Sequence, residues 1–298
     1  NIHRNEQNKG KVVPFEDQAL EDERNIVSLA SGALGGKGRG VAFINTLIYN
    51  FDLSEMFPEI NITCPKTSII GTDEFDIFIE RNKLMPIILE ELDYEILKQK
   101  FVNSSLSNSL IKNLKALLKK TNRPLAVRSS SLMEDSLMQP FAGIFSTYLL
   151  PNNHPDNDKR LEQLMSAIKL VFASIYSPGS RTYFDAVNYK IESEKMAIVI
   201  QEVVGNQHEN TYYPHISGTA QSHNYYPIAH MKPDEGFAVL AVGLGTYVVE
   251  GEKTYRFAPK YPNTEINSQK DIYKTSQVEF YAIDLSNPHV HLMVGEDA

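Results

Sequence analysis

A single cysteine, Cys64, stands in 298 residues. No disulfide can close within the chain, which fits a reducing compartment. Cys64 precedes Pro65 in an apolar stretch and reads as a small core residue. An excess of basic charge is also missing. Lysine and arginine number 29 against 37 acidic residues, a formal charge of −8. That balance argues against a nucleic-acid partner, because a phosphate backbone demands a basic footprint. No apolar run approaches the roughly 20 residues that span a bilayer. Residues 1–23 are polar and hold no signal-peptide core. Together these absences predict a cytoplasmic protein with neither nucleic-acid nor membrane partners.

Other signatures are absent too. The eight histidines show no H-E-x-x-H spacing and have no cysteine partners, so no zinc site is expected. His208, His215, His223 and His230 lie among tyrosines and read as surface or packing residues. There is no G-x-S-x-G elbow to support a hydrolase triad, and no repeat of solenoid period. What remains is an ordinary globular composition, 42% hydrophobic and 22% charged, on a chain long enough for two lobes.

Residues 1–23 read as a linker or frayed end. From Glu21 the spacing of Ile26, Leu29 and Ala30 predicts a helix that stops near Ser31-Gly32. A glycine-dense loop, Gly32 to Gly40, follows, and Val41 to Tyr49 resumes a helical pattern. Pro65 to Ile70 predicts a strand, and Thr72 or Asp73 the N-cap of a helix carrying Phe75, Phe78 and Ile79. Ser109 to Lys120 is amphipathic, with Leu110, Leu114, Leu117 and Leu118 on one side, and ends at Asn122-Arg123-Pro124. Leu125 to Val127 predicts a strand feeding Arg128 and three serines, Ile144 to Leu150 another strand, and Arg160 to Tyr176 a long helix. Beyond about Glu194 the texture turns to strands, beginning with the apolar run Met196 to Val204. These patterns give an α+β fold with a first lobe over 24–192 and a second, strand-rich and truncated lobe over 193–298.

Three constellations could carry chemistry. Lys37 lies among glycines ahead of a helix, flanked by Gly36 and Gly38. Bare backbone N–H groups can approach phosphate oxygens closely, the helix dipole favours an anion, and the ammonium neutralises it. The stretch is not a Walker A loop, which needs Ser or Thr where Gly38 stands, and it fails the dinucleotide pattern. A flexible turn between helices would look the same. The second is Arg128 with Ser129, Ser130 and Ser131, followed by Glu134-Asp135. A planar guanidinium beside hydroxyls suits phosphate, although a solvated turn with a surface ion pair is the alternative. The third is the end of the apolar strand, Gln201, Glu202, Val203 and Val204. It is a plain core strand unless it serves as a hinge whose edge hydrogen-bonds an adenine base.

Taken in order, these residues resemble one family. Leu34-Gly35-Gly36-Lys37-Gly38 is similar to the opening loop of the phosphoenolpyruvate synthase and pyruvate phosphate dikinase family. Pro65 to Ile70 with Thr72 is similar to the strand and helix that follow it. Ala126-Val127-Arg128-Ser129-Ser130-Ser131, Glu134-Asp135 and Phe141-Ala142-Gly143 form the most specific match. Phe172 to Tyr176, Ile200 to Val204, Ser217-Gly218 and Gly243-Leu244-Gly245 continue it, so the resemblance runs collinearly over about 24–258.

The resemblance implies an ATP-grasp fold with ATP clamped between two lobes. Lys37 and Arg128, the candidate catalytic residues, would contact the phosphates, with Gly36, Gly38 and Ser129 beside them. Gln201, Glu202 and Val204 would hold the adenine side, and Gly143 would lie over the nucleotide. The implied reaction passes a phosphoryl group from ATP, with Mg²⁺, to a histidine on a separate swivelling domain, and then to pyruvate or a similar acceptor on a further domain. This sequence departs from the pattern in two places. Thr246 replaces a glutamate, and Gly179 stands where an arginine is usual, with Arg181 two residues on. The family's metal ligands have no counterpart before Ala298. The expectation is therefore a piece of a longer phosphotransferase whose Mg²⁺ ligands lie beyond Ala298. The alternative is a degenerate ATP-grasp module that senses nucleotide or serves as a scaffold.

Overall fold

The computed structural model describes residues 10–51, 53–91, 93–133, 143–228, 230–263, 268–288 and 292–294. The chain divides into two units, 1–203 with 288–298, and 204–287. This divide falls after Val203, whereas the change in composition suggested 192/193. The apolar strand that opens the second half of the sequence therefore belongs to the first unit.

The first unit is built on a mixed sheet. Its strands are β1 (Val12–Pro14), β2 (Ile26–Ala30), β3 (Thr67–Ile70), β4 (Leu125–Ser131), β5 (Thr147–Leu150) and β6 (Met196–Glu202). Their order is β1-β2-β3-β6-β4-β5, and a seventh strand, Leu292–Val294, lies at the far edge against β5. β1, β2 and β3 run parallel, and β6 is antiparallel to both β3 and β4. The helices are α1 (Gly35–Asn50), α2 (Leu53–Met56), α3 (Thr72–Arg81), α4 (Leu84–Glu90), α5 (Tyr94–Asn103), α6 (Asn108–Lys120), α7 (Asn157–Ala173) and α8 (Pro178–Ala186).

Three predicted stretches differ, the first being the expected linker over 1–23, which supplies strand β1 and the buried core residue Leu20. Ile26–Ala30 is a strand and not a helix. Its inner position buries alternate residues on both faces, and five apolar-rich residues in a row fit either period. The glycine stretch is not a loop throughout, because α1 begins at Gly35 and carries Lys37 in its first turn. The N-cap of α3 is Gly71, while the Thr72 hydroxyl accepts from the Ala33 N–H at 3.0 Å and so ties down the approach to α1. Elsewhere local chemistry explains the ends. Asp93 caps α5, Ser107 caps α6, and Ser177 with Pro178 opens α8.

The strand period of two sorts side chains between the faces of the sheet. Val27, Ile70, Val127, Ile198 and Ile200 join the main core, together with Leu110, Leu114, Leu117 and Leu118 of α6 and Leu164, Ile168 and Phe172 of α7. On the other face only Ile26, Ile69 and Val199 form a small apolar cluster, packed by Leu34, Val41 and Ala42 at the start of α1. Thr67, Arg128, Ser130 and Gln201 make a polar strip beside that cluster. Cys64 lies just before β3 and is only partly buried, unlike the core residue expected.

The second unit holds two small antiparallel sheets. One pairs β7 (Asn206–His208) with β8 (Thr211–Tyr213) and β12 (Ile283–Asp284). The other has the order β11-β10-β9, from β9 (Ile216–Gln221), β10 (Phe237–Val242) and β11 (Tyr255–Phe257). Its helices are α9 (Thr246–Glu250) and α10 (Gln269–Thr275). The histidines pack as expected: His208 stacks on Tyr213 at 4.4 Å, and His230 meets Tyr261 edge-on at 4.4 Å. Among the described residues no helix is long and apolar enough to cross a membrane.

Phe172 sits at the centre of the main core, 5.2 Å from Phe75 and 5.6 Å from Phe78 between ring centroids. Phe172→Ala should lower unfolding free energy by about 3–5 kcal/mol. Urea titration monitored by circular dichroism checks this, with an unchanged denaturant slope.

Candidate functional site

The polar face under α1 gathers the residues singled out in the sequence. Along β4 the alternation that sends Leu125 and Val127 into the core turns Arg128 and Ser130 toward the α1 side. In the neighbouring strands the same rule brings Gln201 and Thr67 onto that face, since Thr67 pairs with Gln201 and Gln201 with Ala126. Arg128 Nη1 donates to Gln201 Oε1 at 3.1 Å, Gln201 Nε2 donates to Thr67 Oγ1 at 3.1 Å, and Thr67 donates to the Pro65 carbonyl at 2.7 Å. The amide of Gln201 is thus committed to positioning the guanidinium.

α1 lies directly on β4. The Ser130 hydroxyl donates to the Leu34 carbonyl at 2.7 Å and accepts from the Gly38 N–H at 2.9 Å. A Cβ at Gly35 would fall 1.9 Å from the Ser130 carbonyl oxygen, and Gly35 has φ +67°. A Cβ at Gly38 would meet the Leu34 Cβ at 3.0 Å. These glycines are required by the close approach of α1 to β4 and of its first turn to Leu34, whereas the sequence suggested an approach to phosphate or a flexible turn. Lys37 Nζ reaches Ser129 Oγ at 3.4 Å, so the ammonium stands beside the strand that carries Arg128.

The electrostatics of α1 run against its own dipole. No acidic residue occupies its first turn, Leu34 provides no side-chain cap, and Lys37 and Arg39 stand near the N-terminal, positive end. Cations there are disfavoured by a few tenths of a kcal/mol each unless an anion is present. A helix N-terminus with an ammonium in its first turn and no acid is a donor set that suits an anion such as phosphate.

The remaining predicted residues are less tightly grouped. The N–H groups of Glu202 and Val203 donate to the carbonyls of Lys66 and Pro124 at 3.0 and 2.8 Å. β6 lies inside the sheet, so no free edge exists before Glu202; Val204, at 61% exposure, follows it. Gly143 is exposed, with φ +79° and open space around its Cβ position. Glu134, Asp135, Phe141 and Ala142 lie outside the described residues. Gly179 is exposed in α8, and Arg181 donates to the carbonyls of Tyr176 and Ile88, a structural role. Thr246 is the first residue of α9. In the second unit the Ser217 hydroxyl donates to the Gly243 carbonyl at 2.6 Å, joining the two later landmarks.

One buried carboxylate was not foreseen. Glu194, 1% exposed, accepts from the Leu132 N–H at 3.2 Å just past the end of β4. Burial pushes its carboxyl above the usual range, more than the Tyr189 hydroxyl and the Leu132 amide pull it down. Tyr189 is in turn pushed up to about 12 by burial and by Glu194. An acid before an apolar strand reads in sequence as a solvated loop residue.

The profile of the family described as "Pyruvate phosphate dikinase, AMP/ATP-binding domain" matches residues 32–281. The chain belongs to that family. Among the relatives of this dikinase-domain chain is an "Uncharacterized phosphotransferase YvkC" of Bacillus subtilis (strain 168), 30% identical over 223 residues, which cover 72% of this chain and 24% of that protein. Another is a "Phosphoenolpyruvate synthase" of Aeropyrum pernix, 27% identical over 210 residues, 68% of this chain and 23% of the relative. The chain spans about a quarter of the length of the curated relatives it matches.

Two outcomes are expected of this geometry. Gly35→Ala should destabilise by more than about 2 kcal/mol, from left-handed strain and backbone clash. Gly40→Ala, with nothing near its Cβ position in the same helix, should stabilise by about 0.5–1 kcal/mol; thermal melts of both variants check the pair. For Glu194 the raised carboxyl means that the fold prefers the neutral acid. Its contribution to stability is full below the ordinary carboxylate value and is lost as pH rises through the folded value. Glu194→Gln, which cannot ionise, should remove that part of the pH slope in urea unfolding across a pH series.

Proposed function

We propose that this chain is the ATP-binding part of a phosphotransferase like phosphoenolpyruvate synthase and pyruvate phosphate dikinase, with its two units as the lobes of an ATP-grasp-like fold. The phosphoryl group of ATP would pass to a histidine on a swivelling domain and then to pyruvate, or a similar acceptor, on another. The observation that carries the reading is Lys37 in the first turn of an uncapped glycine helix, held against the strand of Arg128, Ser129 and Ser130. ATP, when bound, supplies the phosphoryl group and the negative charge that this arrangement lacks.

Each residue then has a role. Lys37 and Arg128 neutralise phosphate oxygens, the ammonium as a point charge and the guanidinium as a planar fork. Ser129 and Gln201 fix the two cations so that little reorganisation accompanies transfer. Gly38 lets the first turn of α1 lie close on β4 with Gly36 beside Lys37, Gly143 bounds the nucleotide, and Glu202 and Val204, at and just past the end of β6, take the adenine side. Phosphoryl transfer needs little beyond such positioning and charge neutralisation. Among the described residues no three carboxylate, histidine or thiol groups converge to hold a metal ion. Mg²⁺, when bound, would neutralise charge on the phosphates.

Thr246, where the family pattern has glutamate, favours the second reading of a nucleotide sensor or scaffold. Calorimetry of ATP binding with and without Mg²⁺ separates the possibilities. Lys37→Ala and Arg128→Ala should each weaken binding by about 1.5–3 kcal/mol, roughly ten- to a hundredfold. Equal affinity in both variants would remove the site assignment. Binding that is retained without any phosphoryl transfer in the full-length protein would support the sensor.

A further inference from the structure

The outer side of α1 is apolar and exposed. Phe43, Ile44 and Leu47 lie within about 100° of one another around the helix, opposite Gly38 and Asn45, which are buried on the side that docks onto the sheet. Phe43 is 66% exposed, and Phe51 at the C-cap is 62% exposed. Met56, Phe57, Ile60 and Ile62, in the segment that follows, are exposed as well. Together these residues expose roughly 800 Å², above the ~300–600 Å² of the largest apolar patch on a typical monomer and close to the ~800 Å² that each partner contributes to a standard interface.

The stripe is symmetric about Leu47. Phe43 precedes it by four residues and Phe51 follows it by four; Arg39 precedes it by eight and Glu55 follows it by eight. A self-complementary interface needs this pattern, because across a two-fold axis each residue meets its counterpart's position on the other copy. In an antiparallel pair centred on Leu47, Phe43 of one copy faces Phe51 of the other. Arg39 then lies at the C-terminal end of the other copy's α1, where the dipole favours a cation and where α2 with Glu55 follows.

At that C-terminal end the surface is hollow. A groove of about 320 Å³ lies between the end of α1, Leu53 and residues 60–62, with Tyr49, Phe51, Ile60 and Ile62 in its lining. It is placed to receive Phe43 of the other copy. The charge pattern selects the same occupant. No lysine or arginine occurs from Gly40 to Pro65, whereas Asp52, Glu55 and Glu59 do. An acidic rim repels an anionic membrane surface and a parallel second copy, but an antiparallel copy brings Arg39 to it.

We propose that this face is a self-association surface, through which two copies of the chain pair α1 against α1, antiparallel about Leu47. The pairing uses the side of α1 turned away from Ser130 and leaves the docking of the helix on β4 as it is. It stands independently of the proposed ATP chemistry of the first unit.

Sedimentation equilibrium over a concentration series tests it, on this chain and on the full-length protein. The mass should rise toward that of a dimer with loading concentration. Leu47→Glu, which sets two like charges together on the axis, should weaken pairing by about a hundredfold. Arg39→Glu and Glu55→Arg should each weaken it several-fold, and the two combined should restore it, because the contact they exchange runs between copies. Circular dichroism checks that each variant folds, and the charge exchange decides the matter should Leu47→Glu unfold. The proposal is overturned by a monomer at every loading concentration, by a dimer that Leu47→Glu leaves intact, or by a charge exchange that restores nothing. A full-length protein that stays monomeric while the amides of 43–62 are protected from hydrogen exchange would also overturn it, assigning the face to another part of that protein.

Discussion

The docking of α1 on the first unit's sheet depends on one hydroxyl. Ser130 bridges the Leu34 carbonyl and the Gly38 N–H, and so docks the backbone of α1 onto β4 across 92 positions of sequence. Neighbouring residues tolerate this only because Gly35 and Gly38 present no side chain. Two net hydrogen bonds contribute on the order of 1–3 kcal/mol. Their larger effect is geometric: they set how far Lys37 stands from Ser129 and Arg128. Without a backbone-to-backbone approach, a lysine at the third helical position would splay into solvent.

That docking has an electrostatic counterpart. The positive end of α1 faces a strand bearing a guanidinium, with an ammonium between them and no acid in the first turn. A fold selected for stability alone would place a carboxylate there. The Arg128-Gln201-Thr67 row shows the same priority, since a buried amide is spent on orienting one cation. The two faces of one sheet therefore divide the labour. One is filled by aliphatic and aromatic packing, and the other keeps a polar strip beside a small apolar cluster of Ile26, Ile69 and Val199.

Much of this was legible in the residues, for identifiable reasons. The leucines of 108–120 repeat at helical spacing, and 196–202 is an unbroken apolar run, so both elements declare themselves. The collinear motifs named the family. Ile26–Ala30 did not declare itself, because a short strand buried on both faces has no alternation to read. The glycines around Lys37 signalled a loop, since propensity penalises glycine in helices, and tertiary contact overrode that penalty. The roles of Gln201 and Ser130 depend on which strands are neighbours, a fact of topology. Glu194 gave no signal, because a buried acid is defined by its surroundings.

The sheet order carries a consequence for synthesis. β6 is the last of the central strands to be made, yet it lies between β3 and β4 and supplies the inner edge to both. At translation rates of roughly 5–20 residues per second, β3 waits on the order of ten seconds for that partner. Throughout the wait, two unpaired strand edges are templates for any other extended chain. The nascent protein thus passes through a stage in which Lys37 and Arg128 exist but cannot yet share a surface, and in which a chaperone has most to shield. Insertion of one strand ends the exposure and brings Arg128 and Gln201 together in the same event.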